Sequence, residues 1–201
     1  MGIVHTMPGL IMIALFCMAG CSQRSSDPVK PEKQFSVDRS LLAEEVQDTA
    51  LQISFMPPRG WIPIPDSVLS AAVEESGAAE KVVTHFAHGY NDPEGGGVIT
   101  ISQVPGFDRS DSSSSMQKFK MTILSGDPQA DVKLSFFYHR GWKIHQMFTQ
   151  SSGFAVYKMI YSNRVVPLSI QFDFAFPVEH NEKMTNIVES VAGSVALITA
   201  K

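Results

Sequence analysis

Between Val166 and Phe176 every second residue is apolar: Val166, Leu168, Ile170, Phe172, Phe174 and Phe176. Successive side chains of a β-strand point to opposite sides of the pleat, so this alternation predicts a strand over 165–176 with one fully apolar face. The same reading gives strands at about 131–139, 142–149 and 154–162, separated only by short Gly, Ser and Asn turns. Strands so closely spaced pair as an antiparallel meander. Upstream, Leu51, Ile53 and Phe55 alternate with Gln52 and Ser54 and predict a strand that Pro57-Pro58-Arg59-Gly60-Trp61 breaks. Lys81–His88 and Val98–Val104 carry enough β-branched residues to be strands, joined by the loop Asn91-Asp92-Pro93-Glu94-Gly95-Gly96-Gly97.

Elsewhere the period is helical. Met184, Ile187, Val188, Val191 and Val195 recur at i, i+3, i+4, i+7 and i+11 and predict a helix over 178–195. Met116, Phe119 and Ile123 mark a second stripe; Ser114 and Gln117 fit a capping box at its start, and Gly126-Asp127-Pro128 stops it. Asp66 suits the N-cap of a helix from Ser67 to Ser76 ended by Gly77, and Ser40 suits the cap of a short helix, Leu41–Ala50. This order of elements predicts an α+β domain: an antiparallel sheet of about six to seven strands packed with helices, an α/β/α sandwich.

The N-terminus has a different character. Leu10–Gly20 is an almost wholly apolar run of 11 residues. A helix needs about 20 apolar residues to cross a bilayer, so the run matches a signal-peptide core instead. It ends in Met18-Ala19-Gly20-Cys21, followed by a polar stretch with Pro28 and Pro31. These residues resemble the lipobox of bacterial lipoproteins, with Met18 where Leu is usual and no Lys or Arg in positions 1–9. The resemblance implies cleavage before Cys21, acylation of its thiol, and anchoring of the chain to a lipid bilayer at the cell envelope, facing the periplasm. Ser22, where an Asp would favour the inner membrane, points to the outer one. Residues 1–20 then form a signal peptide, 21–39 the lipidated cysteine and a flexible tether, and 40–201 a single α+β domain.

Composition narrows the chemistry. The formal charge is −4, and no basic stripe invites nucleic acid. The chain holds two cysteines, Cys17 and Cys21. If the first leaves with the signal and the second is acylated, the domain has no thiol for a disulfide, a nucleophile or a metal. No Gly-x-Ser-x-Gly elbow, His-Glu-x-x-His or phosphate-binding glycine loop occurs. The sequence predicts no catalytic residue set and no cofactor.

The element order, the strand ending in Pro58-Arg59-Gly60-Trp61, the late meander and the closing amphipathic helix together resemble the PsbP-like fold. That fold is shared with the Ran-binding Mog protein and bacterial DcrB-type lipoproteins, and the resemblance covers about residues 50–195. It implies a domain that binds or chaperones other proteins, since its members share no catalytic residues. Only the Pro-x-Gly-Trp turn carries over residue by residue.

Several residues bear on function. His85 and His88 look like a metal pair, but on a strand i and i+3 point to opposite faces, so a site would use one of them with Asp92 and Glu94 from the loop. His139 and His145 sit on neighbouring strands near a turn and read as surface residues. Glu179, His180 and Glu182 suit the positive end of the last helix. Arg-Gly-Trp occurs at 59–61 and 140–142, and both tryptophans read as core anchors. Tyr157, Met159 and Tyr161 form a stripe suited to an adaptable protein contact and are the expected binding residues. The leading expectation is a membrane-tethered envelope lipoprotein acting as a non-catalytic protein-binding, assembly or chaperone module. A small-ligand or metal-binding envelope protein built on the loop 88–97 is the alternative, with a hydrolase behind it.

Overall fold

The computed structural model describes residues 32–76 and 85–198. The expected lipobox with Cys21, most of the expected tether, Gly77 and the start of the strand expected at 81–88 lie outside them. A one-turn 3-10 helix, Arg39–Leu41, is followed by strands β1 (Val46–Asp48), β2 (Ile53–Phe55) and β3 (Ile62–Pro63). Helix α1 (Asp66–Ser76), β4 (His85–Asn91), β5 (Val98–Val104) and α2 (Ser112–Gly126) come next. The meander is β6 (Asp131–His139), β7 (Trp142–Ser151), β8 (Phe154–Ser162) and β9 (Ser169–Pro177). A 3-10 turn, Val178–His180, leads into α3 (Asn181–Ser194) and a short β10 (Ala196–Leu197).

The main sheet has seven strands in the order β3-β4-β5-β9-β8-β7-β6, and every adjacent pair is antiparallel. The alternating run drives this arrangement: β9 lies between β5 and β8, pairing Phe172 with Ile101 and with Met159. Its apolar face, with Ile170, Phe172, Phe174 and Phe176 all buried, meets Met184, Ile187, Val188 and Val191 of α3. The opposite face carries a second core in which Val104, Met147 and Ile160 meet Met116, Phe119 and Ile123 of α2. Helix α1 also lies on that side. A Cβ on Gly89 would come within 2.8 Å of Leu69 Cδ2, while the neighbouring Tyr90 belongs to the first core. Helices therefore cover both faces, and the α+β sandwich expected from the sequence is the observed fold.

The departures have local causes. Leu41–Ala50 is not a helix: it holds only Leu41, Leu42 and Val46 as large apolar residues, too few for a helical stripe. Instead β1 turns back on β2 through a tight reversal in which Asp48 Oδ1 accepts the Leu51 amide at 2.8 Å. The strand at 51–57 is shorter than expected and leaves the main sheet for a separate one, β1-β2-β10. That small sheet stacks on the α3 side, so Ile53, Ser54 and Phe55 are all buried. The seventh strand of the main sheet is β3, too short and proline-bearing to show in the pattern.

The expected tether also ends earlier. Phe35 is buried in the first core, Glu32 bridges Tyr138, and the Asp38 amide donates to Ser190 Oγ at 3.1 Å. Residues 32–39 thus belong to the domain, because one aromatic and one correctly placed amide outweigh a polar composition. Helix α2 starts at Ser112, capped by Asp111, whose carboxylate accepts the Ser114 amide at 3.2 Å; the capping box at Ser114 is not used. The strand expected from 165 begins at Ser169. Asn163 Oδ1 accepts the amides of Val165 and Val166 at 2.8 Å each and holds that segment in a turn.

Candidate functional site

Strand β2 ends at the Pro-Arg-Gly-Trp turn. Gly60 has φ +80°, a left-handed conformation that glycine adopts without steric cost. The reversal brings Arg59 back over the first 3-10 helix. Its amide donates to the Leu41 carbonyl at 2.8 Å and its Nε to the Leu42 carbonyl at 3.2 Å. Trp61 lies half-buried against the first core.

Across from this turn stands the loop between β4 and β5. Asp92 organises it: its side chain accepts the Glu94 amide at 3.1 Å, its amide donates to Gly97 O at 2.9 Å, and its carbonyl accepts Gly95 N at 3.0 Å. Asp92 is buried, and Gly96 packs so close that a Cβ there would collide with its carboxylate. The first turn of α3 forms the third wall, with Lys183 Nζ 3.8 Å from Glu94 Oε2. Together these elements enclose a groove of about 310 Å³ lined by Pro58, Arg59, Trp61, Asp92, Lys183 and Ile187, among others. On the far side of Arg59 a second hollow of about 400 Å³ is lined by Arg39, Leu42, Glu44 and Met56. Both hollows mix apolar side chains, among them Leu42, Met56, Trp61 and Ile187, with charges of both signs, a composition suited to a protein surface.

The expected metal residues are not assembled. His88 Nε2 lies 2.7 Å from Asp48 Oδ2, and its ring packs 5.3 Å from Phe55, so it pins the small sheet to the main one. Burial pulls the Asp48 carboxyl upward, but the Leu51 amide and His88 outweigh it and hold it below its usual value. Among the described residues no group of three or more His, Cys, Asp or Glu could hold a metal.

The binding stripe expected at Tyr157, Met159 and Tyr161 is not a surface. Met159 and Tyr161 are 1% and 0% exposed, and the Tyr161 hydroxyl donates to the Ala192 carbonyl of α3 at 3.1 Å. Tyr157 is half-buried between Phe148 and Phe176. The reason is topological: β8 lies inside the sheet, and this face is the one α3 covers. Trp142 is fully buried, as a core anchor should be.

The two later histidines are buried too, on opposite faces of the sheet. His139 Nδ1 lies 3.1 Å from Lys33 O and Nε2 lies 3.4 Å from Gly193 O, with the ring edge-on to Phe35. His145 sits between Phe107 and Phe136. Burial, reinforced by the nearby Lys143 ammonium, pushes its imidazole down to about 4. Above pH ~6.5 both folded and unfolded chains hold it neutral. As the pH falls toward about 4, the unfolded chain takes up a proton that the folded one refuses, and stability drops. The expected loss is up to roughly 3 kcal/mol. Asp38, Asp108 and Asp127, held low mainly by neighbouring serine hydroxyls, lose their contribution only at more acidic pH and do not mask this window. Denaturant unfolding at pH 7 and pH 4.5 should show the loss in the native chain and a smaller one in His145→Leu. An equal loss in both would remove His145 as the cause.

No protein-family model matches this sequence, and no curated protein matches it either. Solved structures do. Cyanobacterial PsbP (CyanoP) from Synechocystis superposes with a TM-score of 0.54 at 16% identity, covering 77% of this chain and 91% of that one. The Ran-binding protein Mog1p of Saccharomyces cerevisiae has a TM-score of 0.47 at 11% identity, covering 77% of this chain and 95% of its own. LpqN of Mycobacterium tuberculosis, involved in cell envelope biogenesis, has 0.45 at 12%, covering 72% and 82%. The seven-stranded antiparallel sheet, its helices on both faces and the match to CyanoP together show that the domain of this chain has the PsbP-type fold.

Proposed function

We propose that this chain is a lipid-anchored envelope protein whose PsbP-type domain holds a partner protein and performs no chemistry of its own. The observation that carries the binding reading is the groove formed by the Pro58–Trp61 turn, the Asp92–Glu94 loop and the first turn of α3. It offers a half-buried tryptophan, a glycine-dependent turn and charges of both signs, the features of an interface rim around an aromatic anchor. The lipobox at Met18–Cys21 supports the anchor. No helix among the described residues is long and apolar enough to cross a membrane. Fold alone does not assign a partner, so the groove residues bear the claim.

The test uses a photo-crosslinking amino acid in the full-length chain, expressed in its own organism. One position is Glu94, on the groove rim. The other is Val165, exposed at the opposite end of the sheet, since β5 and β9 run antiparallel between the two loops. The expected result is one dominant protein adduct from position 94 and none from 165. Adding Arg59→Glu and Lys183→Glu should abolish the adduct. No adduct at 94, or the same adducts at both positions, would overturn the reading.

A further inference from the structure

The two ends of the main sheet differ in charge. Because neighbouring strands are antiparallel, the loops that follow β5, β6 and β8 all emerge at one end, where β7 and β9 begin. This end presents Arg109, Arg140 and Arg164, all exposed, and the half-buried Lys143. The other end holds the groove and is mostly acidic. It presents Asp92 and Glu94 after β4, Asp127 after α2, and Glu179 and Glu182 where α3 starts, with Lys183 beside Glu94.

The basic end is a built surface rather than a set of separate side chains. Arg109 Nη1 donates to the carbonyls of Asn163 and Val166 at 2.8 Å each, which joins the loops after β5 and β8. Lys143 Nζ donates to Ser112 Oγ at 2.8 Å, at the start of α2. The carboxylates at this end serve the backbone: Asp108 accepts the amides of Ser110 and Asp111, and Asp111 accepts that of Ser114, so both offset the positive end of α2. Next to Arg164 stands Val165, 70% exposed. The described chain also begins here, where Glu32 bridges Tyr138, the last residue but one of β6, and Lys33 pairs with Glu189. Only residues 22–31 separate Cys21 from Glu32. That span is at most about 40 Å at full extension.

We infer that, given the anchor at Cys21 proposed above, the domain rests on the bilayer with this basic end against anionic lipid headgroups and the groove facing away. Charge complementarity selects the occupant. The potential of an anionic lipid surface falls off within a Debye length, about 10 Å at 0.1 M salt. Strand β7 alone, with ten residues, is about 33 Å long. Only one end of the domain therefore lies in the field at a time; the arginines are drawn in and the carboxylates of the other end are repelled. The short tether already holds the domain at the surface, so a modest attraction is enough to orient it. Val165 sits among the arginines at the depth of the interface, and the groove is left open to a partner on the side away from the lipid.

The test places a fluorophore on the full-length chain, purified from membranes and returned to vesicles. With Cys17 removed and Cys21 acylated, Val165→Cys or Glu94→Cys supplies the single reactive thiol for it. In vesicles of phosphatidylethanolamine and phosphatidylglycerol with a nitroxide on some headgroups, the label at 165 should be quenched and the label at 94 should not. Quenching at 165 should fall to the level at 94 when phosphatidylcholine replaces the phosphatidylglycerol. It should fall equally in Arg140→Asn combined with Arg164→Gln; Asn tolerates the left-handed backbone at 140, φ +45°. In 1 M salt, where the Debye length is about 3 Å, the same loss should appear without any substitution, which guards against a misfolded variant. Equal quenching at both positions, or quenching at 165 that survives salt and neutral lipid, overturns the inference. So does a protein adduct from position 165 in the cell, which would give the basic end to an acidic protein. Pelleting of the vesicles, read in the same samples, separates anchor from orientation. A chain that pellets without quenching at 165 keeps the anchor and loses the orientation; a chain that stays in the supernatant loses both.

Discussion

Phe172→Ala is expected to cost about 3–5 kcal/mol, enough to bring a domain of ordinary stability close to unfolding. Phe172 is 0% exposed in the middle of β9. Its ring lies 5.9 Å from Phe55 of the small sheet, 5.2 Å from Tyr161 of β8 and 6.4 Å from Phe174 of its own strand. It is therefore the ring against which the small sheet and the main sheet close, and α3 seals the same cluster through Met184 and Val188. Removing it opens a cavity whose walls belong to separate elements and cannot collapse together. Urea unfolding followed by tryptophan fluorescence and by far-ultraviolet circular dichroism should show a lower midpoint with coincident curves. A loss below about 1 kcal/mol would mean that the layers are held together elsewhere.

Cys21→Ser is expected to abolish lipid attachment entirely. Every acyl methylene placed in the bilayer contributes about 0.8 kcal/mol, so several chains on one cysteine residue bind essentially without release. The apolar run before Cys21 is too short to replace them as a spanning helix. Cells fed labelled palmitate should label the native chain and not the variant. Mass spectrometry should find the native N-terminus at an acylated Cys21, and the variant still carrying residues 1–20. A native chain that begins at Met1 with a free Cys21 thiol would end the lipoprotein reading, while leaving the groove experiment intact.

The meander was legible because it depends on local rules. Strands 131–139 and 154–162 are found at the expected bounds, since alternation and short turns are properties of neighbouring residues. The closing helix was equally plain from its stripe, apart from its first turn. What sequence could not show was which face of each strand lies under something. Tyr157, Met159 and Tyr161 make the same pattern whether α3 covers them or solvent does. The histidines at 139 and 145 look alike in sequence, yet one meets backbone carbonyls from the N-terminal segment and α3, and the other is wedged between two phenylalanines on the far face. The Asp48–His88 pair joins residues 40 positions apart on different sheets, with no local signal at either.

The candidate groove divides in the same way. The Pro58–Trp61 turn and the Asp92–Gly97 loop stand out in the sequence, because glycine and proline mark reversals by their backbone restrictions. Their meeting does not, because it requires β3 to pair with β4 and the start of α3 to come beside the loop that follows β4. Taken by itself, the sequence determined most of the strands, the antiparallel meander and the amphipathic closing helix, all set by periodicity or by residues adjacent in the chain. Only the tertiary structure decided the second small sheet, the inclusion of Phe35 in the core and the burial of the tyrosine stripe. Each of these depends on which distant segment excludes water from a given face, and burial is a property of the packed whole rather than of any run of residues.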